Sequence, residues 1–301
     1  MDRLDAMATL IAAVDGGSLS AASRALGMPL ATVSRKVAEL EAHLRTQLVV
    51  RTSRRLSLTE AGRAYVAASR RILEEIDDAE RTASGEYRAP RGHLAITAPI
   101  MFGRLHVEPV VLDFLRAYTD ITTRLVLADH VVSLVDDHLD VAIRVGRLAD
   151  SSMLATRVGA VRWVACASPQ YLESSGIPET PAALEHHDCV MFEGSYSTNL
   201  WNFGRGEQSV SLSMRPRFAV NSADAAIAAA IASAGITRVL SYQVAPAVAS
   251  GTLKIILVSF EPEPLPIHLI YADQPLLPLK LRAFVDFATP RLKASLKALS
   301  G

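Results

Sequence analysis

Cysteine is nearly absent from this chain: Cys166 and Cys189 are the only two in 301 residues, with no C-x-x-C spacing. That excludes a disulfide framework and a thiolate zinc site, and it fits a reducing, cytoplasmic setting. Net charge is also absent, with 31 basic and 31 acidic residues, so affinity for a polyanion has to come from local placement. No apolar run reaches membrane-spanning length. The Ala/Ile-rich segment 225–236 is too short and carries Ser233 and Gly235. The N-terminus holds Asp2, Asp5 and Asp15 and lacks a charged-then-apolar leader pattern, so a soluble protein with no membrane partner is expected. Catalytic motifs are missing too: there is no G-x-S-x-G elbow, Walker loop, G-x-G-x-x-G or H-E-x-x-H. No enzyme and no cofactor is expected. His186 and His187 precede Asp188 and Cys189, but adjacent histidines on an extended segment point to opposite faces, and no metal site is expected there. What the chain has is apolar mass. Half its residues are apolar, enough for one large core or two to three smaller ones.

Residues 18–41, SLSAASRALGMPLATVSRKVAELE, organise the N-terminal part. Leu19, Ala22 and Leu26 recur at helical spacing, and Gly27-Met28-Pro29 interrupts. Leu30, Val33, Val37, Leu40 and Leu44 then mark the buried stripe of a second helix. Gly27 suits a left-handed helix end and Pro29 a helix start. The alanines 21, 22 and 25 let the two helices approach closely. Thr32, Ser34, Arg35 and Lys36 are left off the apolar stripe, where they can meet base edges and phosphates, so the pair reads as a helix-turn-helix. Charge supports this. Between 24 and 55 there are seven basic residues, Arg24, Arg35, Lys36, Arg45, Arg51, Arg54 and Arg55, against Glu39 and Glu41. Leu4, Met7, Ile11 and Val14 predict an amphipathic helix ahead of the pair, with Gly16-Gly17 ending it and Ser18 capping the next.

Val49-Val50 and Leu56 with Leu58 alternate across an Arg-rich turn, which predicts a short two-stranded wing with Arg51, Arg54 and Arg55 against the DNA backbone. A long helix from Thr59 to about Ala83 follows, capped by Ser57 with Glu60 or by Thr59 itself. Its narrow seam, centred on Tyr65, Ala68, Ile72 and Ile76, predicts dimerisation, the alternative being packing onto its own head. GEYRAPRG at 85–92 breaks the pattern as a hinge.

From His93 onward strands alternate with helices: 93–98, 124–128, 139–145, 161–167 and 188–192, then SVSLS, RFAVN, ITRVL, LKIIL and 266–272, with helices at 224–234 and 278–299. The first three strands, with helical material between them, predict a parallel α/β unit. The whole predicts two α/β lobes crossed by two connections. The expected domains are 1–58, a linker helix 59–84, a hinge 85–92 and an effector domain 93–301, with lobe I at 93–161 and 267–301 and lobe II at 162–266.

These residues resemble the LysR-type transcriptional regulators across essentially the whole chain. VSRKVAELE, the wing RTSRRLSLTEAG, LDVAIRVGRLADSSMLA, VACASPQYLESSG and LRAFVDFA carry the likeness. The resemblance implies an α+β multi-domain protein: a winged helix-turn-helix head, a long linker helix and a two-lobed effector domain similar to periplasmic binding proteins. It implies dimers that pair into tetramers and bend double-stranded DNA at an inverted-repeat operator. RNA polymerase is a further candidate partner. By position, the family's base-reading residues fall on Thr32, Ser34, Arg35 and Lys36, with phosphate contacts from the wing arginines. Where the family often opens the recognition helix with Ser or Thr and a polar residue, this chain has Pro29 and Leu30. That trades a cap hydrogen bond for a methyl contact to the DNA. The implied effector, an aromatic or carboxylic small molecule, sits between the lobes near Pro99, Ile100 and Met101, with Asp129 and His130 ending the next strand. Arg144 is either a bidentate carboxylate clamp or a solvated or inter-lobe arginine. Phe192 and Trp201 either stack on a ring or belong to the core.

Overall fold

Asp2 opens the first helix, α1 (Arg3–Asp15), by accepting hydrogen bonds from the backbone N–H of Leu4 (3.0 Å) and Asp5 (3.3 Å). The computed structural model describes residues 2–51, 56–83, 89–130, 132–134, 136–148, 153–193, 200–274 and 277–298. Two compact units result, Met1–Arg88 and Ala89–Gly301. No single helix is long and apolar enough to cross a membrane.

In the first unit, Ser18 caps α2 (Leu19–Leu26) as predicted, accepting from Ala21 N–H at 3.1 Å, and Gly27 ends it at φ 63°. The corner before α2 needs glycine: a Cβ on Gly16 would stand 2.7 Å from that of Ala21. The recognition helix α3 (Leu30–Leu44) follows. The strands β1 (Val49–Arg51) and β2 (Leu56–Leu58) pair antiparallel, Val49 opposite Leu58, giving the expected wing. Thr59, the second of the two predicted caps, receives Gly62 N–H at 2.9 Å and starts α4 (Glu60–Ala83). The core gathers Ala6, Leu10, Val37, Leu40, Leu48, Val49 and Val66. Two stripes differ from expectation. In α1 the buried face is Ala6, Thr9, Leu10 and Ala13, while Leu4 is 41 % exposed; Leu30 of α3, at 47 %, lies off the buried stripe. Small residues win the inner face of α1 because α2 and α3 both approach it closely.

The second unit holds two five-stranded sheets, one per lobe. Lobe I is ordered β4-β3-β5-β14-β6, with β3 (Gly92–Ala98), β4 (Ile121–Leu127), β5 (Val141–Val145), β6 (Met153–Val161) and β14 (Leu265–Ala272). Lobe II is ordered β11-β8-β12-β7-β13, with β7 (Trp163–Ala167), β8 (Cys189–Phe192), β11 (Phe218–Val220), β12 (Ile236–Leu240) and β13 (Lys254–Ile256). A separate hairpin, β9 (Leu200–Phe203) with β10 (Val210–Ser213), covers one face of lobe II. The short helix α7 (Pro169–Ser175) packs on that same face, while helices α8 (Ala223–Ile231) and α9 (Ser241–Ala249) contribute to a core on the other face that runs on into lobe I. There α5 (Ile100–Phe102), a π-helical turn (Gly103–Val107) and α6 (Glu108–Ala117) form one run, packed with α10 (Leu279–Ala298).

The parallel unit expected of the first three strands of lobe I is present. Only β4, β3 and β5 run parallel; β14 pairs antiparallel with both β5 and β6. The described residues between β4 and β5 form turns, not helix, closed by Asp137 N–H to Ser133 O and Leu139 N–H to Leu134 O. Gly92, placed in the hinge by sequence, is the first residue of β3, and 84–88 lie outside the described residues.

Candidate nucleic-acid interface and effector lobes

On α3, Val33, Val37 and Leu40 turn inward, which leaves Arg35 pointing out with its side chain 70 % exposed and Glu39 3.9 Å from its Nε. Thr32 and Ser34 are half-buried beside it. Pro29 is the N-cap and offers no side-chain bond; its carbonyl accepts from Thr32 and Val33 N–H at 2.9 and 3.2 Å. Lys36 is placed differently from its expected role. Its ammonium is ion-paired with Asp5 of α1, lies 3.4 Å from Met28 Sδ, and its side chain is only 19 % exposed. It ties the recognition helix to α1. Glu41 was missed as more than a local negative charge: its Oε1 accepts from Leu48 N–H (2.8 Å) and Val49 N–H (3.0 Å), pinning the wing to α3. Arg54, Arg55 and the side chain of Arg51 lie outside the described residues.

The predicted seam of α4 divides in two. Tyr65 packs on the head core beside the buried Val66, and Ala68 is half-buried. A Cβ on Gly62 would stand 2.0 Å from Leu48 O, so glycine is what permits this close approach. Arg70 is ion-paired with Asp15. Beyond that point Ile72 is 39 % exposed and Ile76, like Ala68, is half-buried.

In lobe I the ends of β3 and β4 come together. Asp129 Oδ1 accepts from Ile100 N–H at 3.0 Å, so an acid of the chain itself caps the helix that begins after Pro99. Ile100 is 43 % exposed and His130 is exposed; Met101, at 7 %, belongs to the core. Arg144 donates from Nη2 to Val132 O and so fastens the loop after β4. Neither aromatic candidate faces a cleft. Phe192 (7 % exposed) packs in the core shared with lobe I, and Trp201 (2 %) donates to Met191 Sδ at 3.3 Å beneath the hairpin.

The contact between lobes is made by residues the sequence did not single out. Phe102 meets Tyr242 of α9 edge-on at 5.4 Å between ring centroids, and His106 lies 4.9 and 5.7 Å from those two rings. Ser295 of α10 is 2.9 Å from His106 Nδ1, while its Nε2 is sealed without a partner. Burial lowers the pKa of His106 below the ordinary histidine value. Arg104 reaches Asp224 across the lobes at 3.0 Å. The π-turn, an element frequent at functional sites, is what aims His106 and Arg104 at this junction.

Burial pushes both thiols up to about 12, so Cys166 and Cys189 are unreactive core side chains. Among the described residues no three of His, Cys, Asp and Glu gather as metal ligands.

Comparison with known proteins accounts for both units. Residues 4–63 match the family described as bacterial regulatory helix-turn-helix protein, lysR family, and residues 88–293 match the LysR substrate binding domain. An HTH-type transcriptional repressor of Pseudomonas aeruginosa is 34 % identical over 289 residues, covering 95 % of this chain and 91 % of the relative. The HTH-type transcriptional activator AaeR of Escherichia coli is 32 % identical, covering 96 % and 94 %. Among solved structures, CrgA of Neisseria meningitidis aligns with TM-score 0.61 at 29 % identity, covering 96 % of this chain and 98 % of CrgA. The full-length virulence activator AphB of Vibrio cholerae aligns with TM-score 0.61 at 28 % identity, covering 95 % and 98 %. With both of its units matched, head and effector lobes alike, the chain belongs to the LysR family of transcriptional regulators.

Proposed function

We propose that this regulator reads a two-fold symmetric operator with α3 and clamps the flanking phosphates with its wing, under the control of a small molecule bound between the lobes. The observation that carries the DNA reading is the outward face of α3: Arg35 is exposed on the side away from Val33, Val37 and Leu40, and Leu30 is exposed at the helix's first turn. Arg35 is the base reader, with Thr32 and Ser34 beside it, while Leu30 offers a thymine methyl an apolar contact. Pro29 starts the helix, and Lys36 positions it through Asp5. Arg51, Arg54 and Arg55 serve as phosphate anchors. Two heads are brought together by the part of α4 not used by its own head, with Ile72 and Ile76 at its centre.

The effector is assigned to the carboxyl ends of β3 to β5, near Pro99, Ile100, Asp129 and His130. Its binding biases the angle between lobes and so the spacing of paired heads. Because Asp129 already occupies the helix N-terminus at Ile100, the effector group nearest that point is a hydrogen-bond donor or neutral, and a carboxylate is repelled from it. The protein acts in the cytoplasm, assembles as a dimer and then a tetramer, catalyses no reaction and contacts RNA polymerase from its operator.

The test is binding of the purified full chain to its own upstream intergenic DNA across a salt series, with random DNA as competitor. Selective, salt-dependent binding to an inverted repeat is expected. Binding without selectivity would remove the regulator mechanism proposed here.

A further inference from the structure

Two charged side chains are buried among the described residues, Arg238 at 9 % exposure and Glu261 at 7 %. Their situations differ. Glu261 has its counter-ion, both oxygens accepting from Arg162 Nη1 at 2.8 and 2.6 Å. Arg238 has no carboxylate partner among the described residues. Its Nη2 donates to the backbone carbonyl of Asn202 at 2.9 Å, a single bond for a group with five N–H donors. Burial alone pulls its pKa down to about 10, and no neighbouring charge acts on it.

Arg238 lies on β12 with its register partner Ala165 on β7, on the sheet face that carries Met191 and Ile236 and is covered by the β9–β10 hairpin. The core running into lobe I uses the other face, through Val164, Cys166, Val190 and Val239. Two rings lie against the guanidinium: Cζ is 4.7 Å from the centroid of Trp163 and 5.6 Å from that of Phe203. Stacking engages the faces of a guanidinium and leaves its in-plane N–H groups free to bind. None of its nitrogens is both sealed from solvent and unbonded, so the edge not used by Asn202 opens outward. A buried cation that lacks a counter-ion is costly, and cation–π contacts offset only part of that cost. The open edge has the fork geometry that accepts a carboxylate through two parallel bonds, with two aromatic rings beside it for a flat apolar body.

We propose that Arg238 anchors a second ligand site, within lobe II between the sheet and the β9–β10 hairpin, for an organic monoanion of aromatic carboxylate type. The site shares no residue with the inter-lobe effector assignment; its hairpin side lies on the opposite face of the lobe II sheet, and its Trp163 wall also packs against the core that runs into lobe I. Trp163 is part of it and Trp201 lies in the same core, and these are the only two tryptophans in the chain. Intrinsic tryptophan fluorescence therefore reports on it directly.

The experiment titrates the full chain with benzoate and, separately, with benzamide, its neutral isostere, exciting at the red edge of the tryptophan band. Saturable change with benzoate is expected, with benzamide at least about ten-fold weaker, as follows from losing a charge-assisted bond. Arg238→Gln should abolish the benzoate response while keeping or raising the melting temperature, since it removes an unpaired buried charge. Equal responses to the two probes, no saturable response in the natural chain, or an unchanged response in Arg238→Gln would each overturn the proposal. Should Arg238→Gln fail to fold, the comparison of benzoate with benzamide on the natural chain decides alone.

Discussion

Arg35 and Lys36 are neighbours in sequence and opposites in situation. One guanidinium stands in solvent and one ammonium is tied to Asp5. Substituting them should therefore do different things. Arg35→Ala is expected to weaken operator binding by about 1–3 kcal/mol and relax discrimination at one base position. Arg55→Ala, as a phosphate anchor, should weaken binding to all sequences alike and lower the salt slope by about one. Competition binding at several salt concentrations separates the two, and identical behaviour would end the division of labour between helix and wing. Lys36→Met should act on stability. A double-mutant cycle with Asp5→Asn should give a coupling of up to about 1 kcal/mol in urea unfolding, the pair being only partly shielded. A coupling of zero with a large loss of DNA affinity would return Lys36 to the phosphates.

At the scale of elements, the two stretches of α4 differ in their surroundings. Its first turns fit the head so closely that Gly62→Ala should cost about 2 kcal/mol or more, read from thermal melts of the full chain. Changing Ile72 and Ile76 together to Glu should leave those melts nearly unchanged and yield monomers in sedimentation. A stable dimer would place the seam elsewhere. The local signals in the head were legible because each acts within a few residues: Ser18 bonds Ala21, Gly27 turns left-handed, Thr59 bonds Gly62. The lobes were legible as alternating strands and helices, but not in their order. β6 escaped notice because it ends the lobe I sheet, and the burial along it does not alternate. α9 carries Pro246 in its interior, which reads as a break. The lobe junction was illegible for another reason: Arg104 and Asp224 are 120 residues apart, and no periodicity links them. Lys36 was assigned by residue type and is ion-paired with Asp5, while Trp201, open between ring stacking and core, lies in the core.

For the molecule as a whole, pH should matter through histidines kept neutral by burial. His106, His187 and His268 all have pKa values lowered chiefly by burial. The unfolded chain then binds protons near the usual value of about 6.5 while the folded chain does not. Their stabilisation is complete above that value and is lost as pH falls toward the folded values. Melting temperature is expected to drop between pH 7.5 and 5.5, and His106→Phe should remove part of the drop. An equal drop in that variant would show that His106 does not contribute. The chain leaves lobe I at Val161 and re-enters at Leu265, and these two residues are register partners on β6 and β14. In its covalent path lobe II is therefore an insertion joined to lobe I at one doubled point, with the shared core and the Arg104–Asp224 pair setting the angle about it. Such a mount resists pulling apart and permits swivelling, so a ligand gripping both lobes would deliver torque to lobe I, with little stretch.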